Sequence, residues 1–173
     1  QRGYAVPYVA AGVNLNLPVI GRLLRKGGAF YIRRSFRGAG LYPIVFMKYV
    51  DVMMNRGHPI EFFIEGGRSR TGRLLRPRTG LLGMTVRSFL RDTRRPVAYV
   101  PVYFGYDKLL EGETYTDELM GRPKKKETIG GILRVLPQLR RRRQHGSVYV
   151  SFGEPLLLDG MLDRTHPDWR RLP

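Results

Sequence analysis

The 173-residue sequence lacks cysteine, has few acidic residues and contains no long apolar run. The absence of cysteine excludes a disulfide scaffold, a thiolate metal site and a cysteine nucleophile. The longest clean apolar stretch, residues 41–47, is far shorter than the roughly 18 apolar residues of a membrane span. The first residues also lack the pattern of a signal peptide and resemble the middle of a domain, so we expect a piece of a longer protein.

Basic residues greatly outnumber acidic ones. The sequence has 31 Lys and Arg against 14 Asp and Glu, a formal net charge of +17. Residues 1–50 and 66–91 contain no acidic residue at all, and two short basic runs follow at 124–126 and 140–143. Such an excess must face a polyanion or a membrane surface, or bind anionic ligands. For the two runs, a plainly solvated surface is an equally good interpretation.

Apolar patterning predicts strands that alternate with helices over one partial domain spanning residues 1–173. We predict strands at 29–32, 60–64, 97–104 and 147–152, and helices at 41–55, 79–90 and 129–143. Pro101 places its strand at a sheet edge or a bulge, because proline has no N–H to donate. This alternation indicates an α/β fold, with a layered and mostly parallel sheet flanked by helices.

Residues 63–72 (FIEGGRSRTG) contain the sharpest motif, in which an apolar strand runs into a carboxylate, two glycines and two arginines. Ligands of open α/β sheets collect beyond the carboxyl ends of strands, where this loop would lie. Glycine lets the backbone approach a ligand closely, and arginine matches phosphate oxygens with two hydrogen bonds. A nucleotide-binding P-loop is excluded, because Arg73 and Leu74 stand where it requires Lys and Ser or Thr. An ordinary glycine-rich turn with solvated arginines remains open.

A second group of basic residues follows the predicted strand at 29–32. Arg33 and Arg34 would lie at its carboxyl end, where they could meet the same anion as the glycine loop. Adjacent strand residues face opposite sides of a sheet, so we expect one of the two to reach that ligand and favour Arg34.

Taken in order, these segments resemble the second, third and fourth conserved blocks of glycerolipid acyltransferases. The segments are residues 28–34 (GAFYIRR), 63–70 (FIEGGRSR) and 100–102 (VPV). Residues 32–36 (IRRSF), 65–72 (EGGRSRTG) and 115–127 (YTDELMGRPKKKE) narrow the resemblance to the bacterial membrane-associated glycerol-3-phosphate acyltransferases. The similarity extends over nearly the whole chain.

The resemblance implies transfer of an acyl group from acyl-CoA or acyl carrier protein to the 1-hydroxyl of glycerol 3-phosphate, with no cofactor. It assigns substrate binding to residues within these blocks: Arg33, Arg34, Glu65, Gly66, Gly67, Arg68, Ser69 and Pro101. Arg34 and Arg33 would hold the phosphate, and Pro101 would shape the acyl-donor side. An anionic membrane surface is a further implied partner, with the protein attached peripherally to the cytoplasmic face of the bacterial inner membrane.

The family's catalytic block, a His followed five residues later by Asp, has no counterpart in the sequence. The residues five positions after the three histidines are Phe63, Val150 and Arg171. We therefore assign no catalytic residue to this chain, expect the block upstream of Gln1, and expect the 173 residues alone to be inactive. The histidines also lack carboxylate or cysteine partners at ligand spacing, so no metal site is expected.

Two other functions are compatible with the composition. A nucleic-acid-binding module would account for the net charge of +17, the arginine run and the interleaved aromatic residues. The basic residues nevertheless cluster at glycine loops, and no groove-reading motif is present, so nucleic acid is not an expected partner. A scaffold or interaction segment of a longer enzyme is the third possibility.

Overall fold

The computed structural model describes residues 5–33, 35–36, 38, 40–67, 74–106 and 147–171. The chain forms two compact units. The first comprises Gln1–Ser69, Arg73–Tyr99 and Leu156–Pro173, and the second comprises Arg70–Gly72 and Val100–Pro155. The prediction of one partial domain over the whole chain remains a prediction.

A three-stranded parallel sheet organises the first unit. Its strands are β1 (Tyr8–Gly12), β2 (Ala29–Ile32) and β3 (Ile60–Glu61), in the order β2-β1-β3. Helix α1 (Ile20–Lys26) connects β1 to β2, and helix α2 (Tyr42–Asn55) connects β2 to β3. The right-handed crossovers usual for parallel strands need intervening helices of this kind.

Helix α2 supplies most of the first hydrophobic core. A proline in its first turn suits the start of a helix, where the missing N–H costs nothing. Phe46, Val50 and Met53 follow at spacings of four and three residues, which places them on one buried face against Phe30 of β2. The predicted helix at 41–55 and the predicted strand at 29–32 are thereby confirmed.

The described residues include four further strands: β4 (Ala98–Tyr99), β5 (Val102–Tyr106), β6 (Val148–Phe152) and β7 (Leu156–Leu157). In the first unit, β4 pairs with β7, and in the second unit, β5 pairs with β6. Both pairings are antiparallel, so the prediction of a mostly parallel sheet holds for β1 to β3 and is wrong for these strands.

Pro101 explains why the strand predicted at 97–104 is two strands. A proline cannot donate a ladder hydrogen bond, so the extended segment is interrupted at this residue, between β4 and β5. Its carbonyl accepts a hydrogen bond from the N–H of Gly153 at 2.8 Å, at the end of the β5–β6 pair. The strand predicted at 147–152 is confirmed as β6.

The part of the first unit that the structure describes also contains helix α3 (Gly80–Arg91) and helix α4 (Leu158–Thr165), and a short 3₁₀ helix at Pro167–Arg171 follows α4. A second hydrophobic cluster joins them through Phe89, Leu158 and Trp169. The predicted helix at 79–90 is confirmed as α3, whereas the one at 129–143 lies outside the described residues. Within the part of the chain that the structure describes, no helix has the length and apolar character to cross a membrane.

Candidate functional site

The strand order of the parallel sheet defines where a ligand would bind. The chain passes from β1 to β2 on one side and then returns to β3 on the other side of β1. Open α/β sheets bind ligands in the crevice at such a reversal, beyond the carboxyl ends of the strands. The candidate site therefore lies at the ends of β1 and β3, with the end of β2 beside it.

Backbone hydrogen bonds define the turn that follows β3. The N–H of Gly66 donates to the carbonyl of Phe63 at 2.9 Å, which closes the turn. The N–H of Arg78 donates to the carbonyl of Ile64 at 2.7 Å. The N–H of Leu75 donates to Oε2 of Glu65 at 3.0 Å, so one carboxylate oxygen fastens the turn to the segment before α3.

Gly66 meets two requirements that no other residue satisfies as well. Its φ of +60° lies in the left-handed region, which glycine adopts without steric cost. A Cβ at this position would also lie 2.8 Å from Cδ of Arg78. Gly67, by contrast, has no atom within 4 Å of the corresponding position. Within the glycine pair, Gly66 fixes the turn and Gly67 leaves space beside it.

Arg33 is held at the end of β2 by an aromatic ring. Its N–H donates to the hydroxyl of Tyr42 at 3.2 Å, and its Cζ lies 4.7 Å from the centre of the same ring. Tyr42 is the first residue of α2, so the arginine is stacked against the start of that helix. Such a cation–π contact positions the guanidinium without neutralising it.

An aromatic cavity of about 250 Å³ lies between β2 and α2 and is lined by Phe30, Tyr31, Tyr42, Val45, Phe46 and Tyr49. Burial, and secondarily the charge of Tyr8, raises the pKa of Tyr49 above its usual value. Tyrosine is neutral at physiological pH even at its usual pKa, so no charge lines the cavity, which suits an apolar group.

The two predicted motifs follow strands at the same, carboxyl-terminal end of the sheet, but these strands are not neighbours. Arg33 follows β2, whereas Glu65, Gly66 and Gly67 follow β3, and β1 lies between them. Two strand spacings separate these strands by about 10 Å. Arg34, Arg68 and Ser69 lie outside the described residues. Pro101 belongs to the second compact unit, whereas Arg33 and the Glu65–Gly67 turn belong to the first.

Sequence reasoning missed β1 and the residues after it. At its end, Oδ1 of Asn14 would lie 2.5 Å from a Cβ on Gly12, so the carboxamide folds back over the glycine. The apolar run of residues 8–11, ended by Gly12, was the signal for this strand. The contact of Arg78 with Gly66 had no such signal, because it joins residues that are 12 positions apart.

Comparison with known proteins defines the class. The chain matches the acyltransferase family over residues 1–105 and the C-terminal region of glycerol-3-phosphate acyltransferases over residues 115–173. It therefore belongs to the acyltransferase family, and the resemblance inferred from its motifs is confirmed.

Comparison with individual proteins gives a narrower similarity than the family match. Over 170 residues, the chain is 55% identical to the glycerol-3-phosphate acyltransferases of Pseudomonas paraeruginosa and Pseudomonas aeruginosa. It is 54% identical to that of Pseudomonas putida strain GB-1. The alignment with each covers 98% of this chain but 20% of the relative. The chain thus spans about one fifth of the length of these relatives.

Proposed function

We propose that the protein carrying this chain is a glycerol-3-phosphate 1-O-acyltransferase. It would transfer an acyl group from acyl-CoA or acyl carrier protein to glycerol 3-phosphate, giving lysophosphatidate in the first step of phospholipid synthesis. The observation that carries this proposal is the 55% identity over 98% of the chain to proteins named glycerol-3-phosphate acyltransferase. The cationic and glycine-rich ends of β2 and β3 agree with it.

The substrate phosphate would be anchored at the sheet edge. Arg33 and Arg34 after β2, and Arg68 and Ser69 after the Glu65–Gly67 turn, supply donors that match phosphate oxygens. Anchoring the phosphate would hold the 1-hydroxyl near 3 Å from the thioester carbon, which removes much of the entropic cost of the reaction. Oε2 of Glu65 accepts a hydrogen bond from Leu75 N–H, and its other carboxylate oxygen would accept one from a substrate hydroxyl.

The general base would come from outside these 173 residues. Acyl transfer to an alcohol needs a group that removes the hydroxyl proton, usually a His oriented by a carboxylate. No His is followed five residues later by Asp in this sequence, and the relatives are about five times longer. We propose that the full-length protein supplies this pair, that no metal or cofactor is needed, and that the acyl donor is the only co-substrate.

The surroundings of the site are also part of the proposal. The small parallel sheet would belong to a larger layered sheet, flanked by helices, that the full-length protein completes on the N-terminal side. The net charge of +17 favours peripheral attachment to anionic lipid at the cytoplasmic face of the inner membrane. Pro101 would lie on the acyl-donor side.

The test is acyl transfer by the full-length protein. Purified protein is incubated with glycerol 3-phosphate and either acyl-CoA or acyl carrier protein, and lysophosphatidate is measured. Arg34→Ala and Arg68→Ala should each weaken glycerol 3-phosphate binding by about 2–4 kcal/mol, roughly 30- to 1,000-fold in KM. Absence of transfer, together with salt-steep DNA binding that glycerol 3-phosphate does not affect, would favour the nucleic-acid-binding module instead.

A further inference from the structure

Arg78 has no assigned role in the motifs, yet the structure places it on the turn that follows β3. We propose that Arg78 is a further anion-binding residue of this site and contacts the phosphate of the substrate beside Gly66. The inference rests on the proposed function, since it takes glycerol 3-phosphate as the ligand.

Two contacts fix the position of Arg78. Its N–H donates to the carbonyl of Ile64 at 2.7 Å, which binds its backbone to the turn. Its side chain packs on Gly66, where Cδ and Nε lie 2.8 and 3.5 Å from the position that a Cβ would occupy. The start of the guanidinium group therefore lies over the backbone of the turn that follows β3.

The charge of Arg78 is available to a ligand. Among the described residues, no carboxylate lies within salt-bridge distance of it, and the residue is exposed. Glu65 in the adjoining turn accepts a hydrogen bond from Leu75 N–H and, among the described residues, forms no ion pair with Arg78. Residues 66–91 contain no Asp or Glu that could neutralise Arg78 locally.

The chemistry of the position suits a phosphate. A guanidinium is always charged and presents paired donors that match two phosphate oxygens. The absence of a side chain at Gly66 gives the arginine its place on the turn, because any Cβ there would collide with Cδ of Arg78. Phosphate recognition would thus involve arginines on both sides of β1, Arg33 after β2 and Arg78 beside the turn after β3.

A purely structural role is the alternative, in which the aliphatic part of Arg78 merely covers the turn. The two roles differ in their kinetic signature. Loss of a phosphate contact raises KM for glycerol 3-phosphate selectively, whereas a distorted turn changes the kinetics with both substrates and lowers the melting temperature.

The experiment compares Arg78→Ala, Arg78→Lys and Arg76→Ala in the full-length protein. Arg76 is the matched control, an exposed arginine two residues away. Losing a charge-assisted hydrogen bond should raise KM for glycerol 3-phosphate roughly 10- to 100-fold in Arg78→Ala. KM for the acyl donor should change less than about twofold, since the donor does not use this contact. Arg78→Lys should restore part of the loss, and Arg76→Ala should behave as wild type.

Thermal protection by glycerol 3-phosphate and by inorganic phosphate gives a second measurement that does not depend on turnover. Wild-type protein should be protected by both ligands and Arg78→Ala by neither at the same concentrations. Unchanged KM and protection in Arg78→Ala, or equal losses with both substrates, would overturn the inference. Protection of wild type by glycerol 3-phosphate without any acyl transfer would instead contradict the proposed function and leave phosphate binding by Arg78 to be decided by protection alone.

Discussion

Arginines of this chain are held in two different ways. Among the described residues, Arg91, Arg94, Arg170 and Arg171 each form an ion pair with an aspartate. At the carboxyl edge of the parallel sheet, Arg33 stacks on Tyr42 and Arg78 packs on Gly66, and neither has a carboxylate partner in the part described. With 31 basic and 14 acidic residues, many cations must lack partners. Arg33 and Arg78 differ in being positioned without being neutralised.

The ion-paired arginines use their charge to stabilise the fold, whereas Arg33 and Arg78 keep theirs available to a ligand. An arginine paired with a carboxylate contributes to the fold but offers little charge to a ligand. An arginine held by an aromatic face or by close packing on glycine keeps its donors, and its position costs little rotamer entropy on binding. Preorganised, unpaired cations are what a phosphate site requires.

The largest change in stability is expected where an ion pair involves a buried acid. Asp51 is 8% exposed, its Oδ1 has no hydrogen-bond partner, and its Oδ2 accepts from Arg91 at 3.1 Å. Arg91→Ala would leave the second oxygen unsatisfied as well and should lower the free energy of unfolding by about 1–3 kcal/mol. Urea unfolding of the 173-residue chain, followed by Trp169 fluorescence, measures it.

Arg94→Ala provides the control for this experiment. Arg94 is exposed in its pair with Asp92, and the two residues are only two positions apart, so loss of this pair should leave the urea midpoint almost unchanged. Equal losses of unfolding free energy in the two variants would show that burial of the carboxylate does not determine how much an ion pair stabilises this chain.

The second prediction concerns the glycine pair. Gly66→Ala places a side chain at a φ of +60° and against Arg78, so it should cost about 1–2 kcal/mol and raise KM for glycerol 3-phosphate. Gly67→Ala meets no atom within 4 Å and should leave stability unchanged. Denaturation of the chain and kinetics of the full-length protein give the two readouts. Identical behaviour of both variants would remove the distinction between the glycines.

The sequence predicted elements whose pattern is local. The bounds of α2 are right to within one residue, because a mainly apolar segment is closed by Gly57 two residues after Asn55, and β2 follows directly from its aromatic run. β1 was missed although it is the central strand, because its apolar run is only four residues long and short runs are a weak strand signal. Antiparallel pairing of the later strands was also unpredicted, since partner choice depends on the whole fold and not on alternation within a strand.

The site was predicted in the same uneven way. The motifs correctly placed Arg33 directly after β2. The predicted strand at 60–64 is shorter than expected, because β3 ends at Glu61, four residues before the Glu65–Gly67 turn begins. The bond of Glu65 to Leu75 and the contact of Arg78 with Gly66 depend on how the chain returns to the turn, and no spacing rule contains that information.

The third prediction tests the aromatic support of Arg33. Tyr42→Leu removes the ring face beneath the guanidinium, and loss of a cation–π contact should raise KM for glycerol 3-phosphate about two- to fivefold in the full-length protein. Tyr42→Phe keeps the face and removes the hydroxyl that accepts Arg33 N–H, so its KM should stay closer to wild type. A larger effect in Tyr42→Phe would show that the hydrogen bond, and not the ring, positions Arg33.

The smallest expected effect is a pH-dependent change in stability at Asp163, the partner of Arg170 and Trp169. Hydrogen bonds from Arg170, and then from Trp169, lower the pKa of Asp163 below its usual value of 3.8. A carboxyl with a depressed folded pKa contributes stability that is fully present above the unfolded pKa and is lost as the pH falls through the folded pKa. Trp169, the only tryptophan, donates its indole N–H to Oδ1 of Asp163 at 2.8 Å and therefore reports the change.

Fluorescence of Trp169 should stay constant down to about pH 4 and change only below it, as Asp163 becomes protonated. Asp163→Asn should abolish this transition, because its amide does not titrate over that range. Asp92→Asn is the control. Asp92 has a pKa of about 2, but it pairs with Arg94 and not with Arg170 or Trp169, so this change should leave the fluorescence transition in place. A transition that persists in Asp163→Asn, or that begins above pH 5, would mean that Asp163 does not control the environment of Trp169.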